Sequence, residues 1–214
     1  MALEAAHALL THCMGSRAGA TAALAGLLDH SSEDGDLAKR SSSGLRILRY
    51  AGDARGAPRS GAPHTDNTII TAAPRADVPA LEVCLPSSPE WLDVEVTLLD
   101  DDVLVFPGDA LCAITRGALP ALLHRVPPAR YEGRAPRRLS TPYFLRARPG
   151  ALLRPVLSTE HPGDDAGREQ PLTAAHIECN MGDCRRRRPW MATRADAAFY
   201  RRAMELVASD VPQH

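Results

Sequence analysis

Aromatic side chains are scarce in this chain, making up 4% of its 214 residues. Most of them (Tyr50, Trp91, Phe106, Tyr131, Tyr143 and Phe144) lie between 50 and 144, which marks that stretch as the place of densest packing. Charge of one sign is also lacking. The formal net charge is -1, so bulk electrostatics direct the chain neither to nucleic acid nor to an anionic membrane. No apolar run reaches the roughly 18 residues of a membrane span. Residues 1–10 are apolar but carry Glu4 and His7, with no basic segment ahead of them, so no secretory signal is expected. The five cysteines (Cys13, Cys84, Cys112, Cys179 and Cys184) form no regular framework. An odd, irregular set reads as reduced thiols in a reducing compartment, and a cytoplasmic location is the expectation. There is no internal repeat. What remains is 44% apolar, which suits one ordinary globular domain with a core of its own.

The chain divides by pattern. Residues 2–29 are rich in Ala and Leu and read as helical, with Gly15, Gly19 and Gly26 arguing against one long helix. A polar, serine-rich loop follows. From Gly44 the pattern turns to short strands separated by Pro and Gly, expected at 45–50, 67–72, 81–85, 91–96, 103–106, 122–126 and 139–145. Many short strands with regular turn signals predict a mainly β domain with flanking helices, a sandwich or barrel of the jelly-roll type. Residues 158–171 read as an exposed loop. A last helix is expected from Thr193, with Phe199, Ala203, Leu206 and Val207 on its apolar stripe. The domain plan is therefore a helical segment and loop over 1–43, a jelly-roll core over 44–157, and a loop and helix packed on that core over 158–214.

Two groups of residues carry chemistry. His64-Thr65-Asp66 puts an imidazole and a carboxylate two residues apart, on one side of an extended chain. His124 lies on another predicted strand. Two histidines and a carboxylate make a facial triad that leaves coordination positions open on non-heme iron(II), although zinc, manganese and nickel take the same donors. With eight histidines in the chain, the bland alternative is a loop histidine beside an N-cap aspartate. The second group is Arg138-Leu139-Ser140. Arg138 and Ser140 share one strand face, and a guanidinium fork beside a hydroxyl is a carboxylate clamp. The alternative there is a surface arginine, since Arg134, Arg137, Arg146 and Arg148 lie close by. Cys179 and Cys184 near His176 make a weak metal motif. Residues 185–188, four arginines, read as a solvated turn.

The blocks taken together resemble a known family, the plant-type and isopenicillin-N-synthase-like 2-oxoglutarate oxygenases. In order they are Leu45-Arg46-Ile47-Leu48-Arg49-Tyr50, His64-Thr65-Asp66, Ala80-Leu81-Glu82-Val83, Trp91-Leu92-Asp93-Val94, Phe106-Pro107-Gly108-Asp109-Ala110-Leu111, His124-Arg125-Val126, and Arg138-Leu139-Ser140-Thr141-Pro142-Tyr143-Phe144-Leu145. The resemblance implies a double-stranded β-helix with iron(II) held by His64, Asp66 and His124. It implies that Arg138 and Ser140 hold the distal carboxylate of the co-substrate 2-oxoglutarate, with Tyr50 a further pocket residue. The implied reaction uses O2 and oxidises a small organic substrate, commonly by hydroxylation, with release of succinate and CO2. The sequence departs from the family in three ways, the least of them Pro79-Ala80-Leu81 in place of the glycine-leucine step often seen there. Members carry a longer stretch ahead of the helical region, and the connection from His124 to Arg138, with Pro127, Pro128 and Pro136, is longer than usual. A shortened member that keeps the jelly roll only as a binding module is therefore the rival expectation.

Overall fold

A computed structural model of the protein describes residues 1–28, 42–50, 63–85, 90–127, 138–157 and 174. The expected C-terminal helix, the 158–171 loop, Cys179, Cys184 and the arginine run lie outside the described residues.

The helical segment is two helices, α1 (Ala2–Met14) and α2 (Arg17–Leu27). Gly15 ends α1 in the left-handed region, at φ 62°, where a side chain would be strained. Ser16 then caps α2, its hydroxyl accepting the Gly19 N–H at 3.1 Å. Ala2, Ala6 and Leu10 recur at helical spacing on the buried face of α1, and Ala20, Leu24 and Leu27 do so on α2. These faces join Ile69, Ile70, Leu111, Ile114 and Leu145 in the main apolar core. Fully burying a leucine such as Leu10 contributes about 1.5–3 kcal/mol.

Among the described residues nine strands follow: β1 (Gly44–Leu45), β2 (Leu48–Arg49), β3 (Ile70–Pro74), β4 (Glu82–Cys84), β5 (Trp91–Asp93), β6 (Val103–Pro107), β7 (Leu123–Arg125), β8 (Leu139–Ser140) and β9 (Tyr143–Leu145). One sheet has the order β1-β9-β3-β6, all antiparallel. β2 pairs with β8 in the same register as β1 with β9, running from Gly44↔Phe144 to Arg49↔Leu139. The two pairs are thus one long ladder, bridged by Arg46 N–H to Pro142 O and extended by Tyr50 N–H to Arg138 O. The second sheet has the order β5-β4-β7. His64 adds a further rung on the free side of β7, since its N–H and C=O pair reciprocally with those of His124, both at 3.0 Å. Counted this way, each sheet has four paired lines of chain, and the connections cross between sheets. That is the double-stranded β-helix expected from the sequence.

Local boundaries differ where side chains override pattern. The strand expected over 91–96 stops at Asp93, and a single 3-10 turn, Glu95–Thr97, takes its place because the Glu95 carboxylate turns inward. The strand expected over 67–72 begins at Ile70, since 66–69 forms a turn that docks on a short helix, α3 (Asp109–Ile114). That helix was not foreseen in the sequence. Among the described residues no helix is long and apolar enough to cross a membrane, and Cys13, Cys84 and Cys112 are thiols.

Candidate metal and co-substrate site

β7 carries its side chains alternately to the two faces of its sheet. Leu123 packs with Cys84 and Trp91 on one face. On that face too, Arg125 donates to Glu82 at 2.8 Å and lies over the Trp91 ring at 4.1 Å. These contacts fix β7 against β4 in the register Val83↔His124. His124 and Val126 then face the other sheet, where the Phe106 ring is 5.1 Å from that of His124.

His64, Asp66 and His124 converge there. One ligand atom from each lies within 4.8 Å of the others. Asp66 Oδ1 is 3.7 Å from His64 Nε2 and 3.9 Å from His124 Nε2. The side chain of His64 is 39% exposed, against 10% for Asp66 and 8% for His124, so the triad opens to solvent past His64. Asp66 and His124, the two less exposed candidate ligands, are each anchored by their other polar atom. His124 Nδ1 donates to Leu122 O at 3.0 Å, which places the proton on Nδ1 and leaves the Nε2 lone pair facing Asp66. Burial pushes the His124 imidazole down to about 4 from 6.5, the neighbouring His64 adds to this, and Asp66 opposes it. The ring is therefore neutral, the form that binds metal.

Asp66 Oδ2 accepts the Thr71 hydroxyl at 2.6 Å. Since Thr71 has spent its one proton, Thr68 must be the donor in the 3.0 Å contact between their hydroxyls. The backbone of this loop is held equally firmly. Gly108, Asp109 and Ala110, at the start of α3, donate their N–H groups to Ile69 O, Asp66 O and Thr68 O at 3.1, 2.7 and 3.1 Å. The Asp109 carboxylate, itself buried, accepts the Thr65 hydroxyl at 2.9 Å, between the candidate ligands His64 and Asp66. Three donors converge, and the less exposed two have their outer atoms tied back, which is how proteins orient first-row metal ligands. The donor set fits iron(II).

Arg138 and Ser140 are both buried while Leu139 between them is exposed, so they share a face as the spacing predicts. Arg138 is connected to the His124 face of β7 through Tyr50. Val126, on the His124 face of β7, packs with Tyr50, Ala80 and Leu81, with Leu104 against them. The Arg138 guanidinium is 5.3 Å from the centre of the Tyr50 ring.

One contact was not foreseen. Arg138 forms a two-pronged ion pair with Glu95, Nη1 to Oε2 at 2.7 Å and Nη2 to Oε1 at 3.1 Å, and Nη1 also donates to Val78 O. Glu95 in addition accepts N–H groups from Ala80 at 2.7 Å, Leu81 at 2.8 Å and Ala76 at 3.4 Å. The only sequence signal for this residue was an acidic side chain within an alternating apolar stretch. Thr71, Thr68 and Asp109 gave no signal of their own.

A profile of the 2OG-Fe(II) oxygenase superfamily matches residues 42–147, a stretch that contains every residue of this site. The chain belongs to the 2OG-Fe(II) oxygenase superfamily. Over 63 residues it is 41% identical to the probable 2-oxoglutarate-dependent dioxygenase AOP1 of Arabidopsis thaliana, which is 29% of this chain and 20% of that protein. Among solved structures, a protein of Caulobacter crescentus assigned to the 2OG-Fe(II) oxygenase family superposes with a TM-score of 0.50 at 28% identity, covering 65% of this chain and 45% of that one. The rice dioxygenase for auxin oxidation superposes with a TM-score of 0.51 at 25% identity, covering 82% of this chain and 55% of that one. The superfamily jelly roll is thus shared, while the matched parts span only about half of the solved relatives and a fifth of the curated one.

Proposed function

We propose that this chain is the catalytic core of an iron(II)- and 2-oxoglutarate-dependent oxygenase acting on a small organic substrate. The observation that carries this reading is the convergence of His64, Asp66 and His124 at one point between the sheets, with Asp66 Oδ2 and His124 Nδ1 already committed elsewhere. His64, Asp66 and His124 are the metal ligands. Arg138 and Ser140, buried on one strand face, receive the distal carboxylate of the co-substrate, and Tyr50 walls the space beside them. When bound, iron(II), 2-oxoglutarate and O2 supply the oxidising chemistry, with succinate and CO2 as by-products. The chain supplies position. Phe106, Val126 and Leu81 give apolar walls that exclude water, and the His64 side is the open face through which a substrate enters.

The test is spectroscopic. Metal-free protein under anaerobic conditions receives iron(II) and then 2-oxoglutarate, and a weak visible charge-transfer band is expected from chelation of iron by the keto acid. His64→Ala should abolish the band, and Arg138→Ala should require far more 2-oxoglutarate to reach it. Consumption of 2-oxoglutarate on admitting O2 completes the case. A folded sample that forms no band overturns the oxygenase reading and leaves the jelly roll as a binding module.

A further inference from the structure

We propose that Glu95 is a built-in counter-charge to Arg138 that weakens the grip of the site on a distal carboxylate, so that 2-oxo acids lacking that carboxylate serve as co-substrates nearly as well as 2-oxoglutarate. This rests on the reading of Arg138 as the co-substrate clamp.

A guanidinium has five N–H groups arranged along two edges. Both Nη1 hydrogens of Arg138 are taken, by Glu95 Oε2 and Val78 O, and one Nη2 hydrogen goes to Glu95 Oε1. The end-on edge is therefore occupied. The side-on edge is different. Nε is buried and has no hydrogen-bond partner among the described residues, and Nη2 keeps a second hydrogen beside it. A carboxylate can dock on that edge without displacing Glu95, and a buried N–H without a partner favours such an acceptor.

Glu95 itself will not move aside. Its neighbours are all donors: the Ala80, Leu81 and Ala76 N–H groups and the two Arg138 nitrogens. A carboxylate so surrounded, and only 2% exposed, has nothing to gain by leaving. An incoming carboxylate consequently meets an arginine whose charge is already matched, with a second carboxylate on its far side. A neighbouring arginine favours a carboxylate's charged form by about one to three powers of ten, and matching that arginine's charge with Glu95 should weaken carboxylate binding on the same scale. The apolar walls nearby, Tyr50, Leu81 and Val126, suit an uncharged chain end equally well. The metal-chelating end of the co-substrate is the same in either case, so selectivity at the distal end falls.

The experiment titrates 2-oxoglutarate and 2-oxopentanoate, which has a methyl group where 2-oxoglutarate has its distal carboxylate, into the anaerobic iron(II) protein and follows the visible band. In the wild type the two dissociation constants should differ by less than about tenfold. In Glu95→Gln the preference for 2-oxoglutarate over 2-oxopentanoate should rise by about tenfold or more. A wild-type preference of roughly a hundredfold or above overturns the proposal. So does a preference that stays level or falls in Glu95→Gln while 2-oxopentanoate still binds. If Glu95→Gln does not fold, the wild-type ratio decides alone. The absence of a band with either acid in folded wild type is a different failure, because it removes the oxygenase reading on which the proposal rests.

Discussion

The turn after β6 packs tightly against the loop that carries Asp66, and Gly108→Ala probes that contact directly. Gly108 is extended, at φ -108°, so backbone conformation does not require glycine there. Space does. A Cβ at this position would fall far inside contact distance of Thr68 Oγ1 and Thr68 O, and 2.8 Å from Asp66 O. Two of those three atoms are backbone and cannot rotate away, so α3 and the Asp66 loop must separate. The separation strains three hydrogen bonds, from the N–H groups of Gly108, Asp109 and Ala110, each contributing about 0.5–1.5 kcal/mol net. Overpacking of this kind costs about 1–3 kcal/mol by itself. A loss of roughly 2–4 kcal/mol is expected, or about 4–16 °C in Tm for a domain of this size. Iron should suffer separately, because Asp66 and the Thr68–Thr71 hydroxyl pair are carried on the displaced loop. Urea unfolding of metal-free protein reads the first effect, and iron(II) titration at low temperature, where the variant is folded, reads the second. Wild-type values for both in Gly108→Ala would refute the packing argument.

Two further predictions concern the ligands. Thr71→Val keeps the shape of a 1% exposed side chain but removes the donor to Asp66 Oδ2. Iron affinity should fall about tenfold or more, measured by competition with a chelator, and unchanged affinity would show that the hydroxyl does not orient the carboxylate. The second is a pH dependence. His124 has its folded pKa lowered to about 4 from 6.5, so below pH 6.5 the unfolded chain takes up a proton that the folded chain refuses. The stability of metal-free protein is then full above about 6.5 and declines as pH falls toward 4. Between pH 7 and 5 this residue alone removes about 2 kcal/mol, a decline that urea midpoints should show in wild type and show less of in His124→Gln.

How much of this was legible in the sequence depends on whether a residue's role is set by its neighbours in the chain or by contacts across the fold. Period-two alternation announced β4 and the shared face of Arg138 and Ser140, because side-chain direction in a strand is local. The His64-Thr65-Asp66 spacing likewise foretold that both side chains could reach one ion. Gly15 broke the helical run where the chain adopts a left-handed turn. Long-range pairing was another matter. The reciprocal rung between His64 and His124 joins segments far apart in the chain, and only the order of blocks resembling a known family pointed to it. Thr71, Asp109 and Glu95 were illegible for the same reason. An ordinary threonine or acid becomes a support only when the turn after β6 is laid against the Asp66 loop, or when 95 is turned inward beneath 138. The shortening of the strand after Asp93 was missed through Glu95 as well, since a tertiary ion pair there overrode an alternating pattern.

The two inward carboxylates explain why one can serve a metal and the other cannot. Asp66 gives one oxygen to Thr71 and leaves the other facing two imidazole nitrogens at 3.7 and 3.9 Å. Those distances are longer than hydrogen bonds, so Asp66 Oδ1 and His124 Nε2 gain little from one another and keep lone pairs for a cation. Glu95 is the opposite case, with both oxygens engaged by a guanidinium and backbone N–H groups. The desolvation of that ion pair is offset within the fold. Removing Asp66 should therefore cost function far more than stability, and removing Glu95 should cost stability first, because it strands a buried guanidinium. Nearly equal losses of stability in Asp66→Ala and Glu95→Ala, measured without metal, would contradict this division of labour.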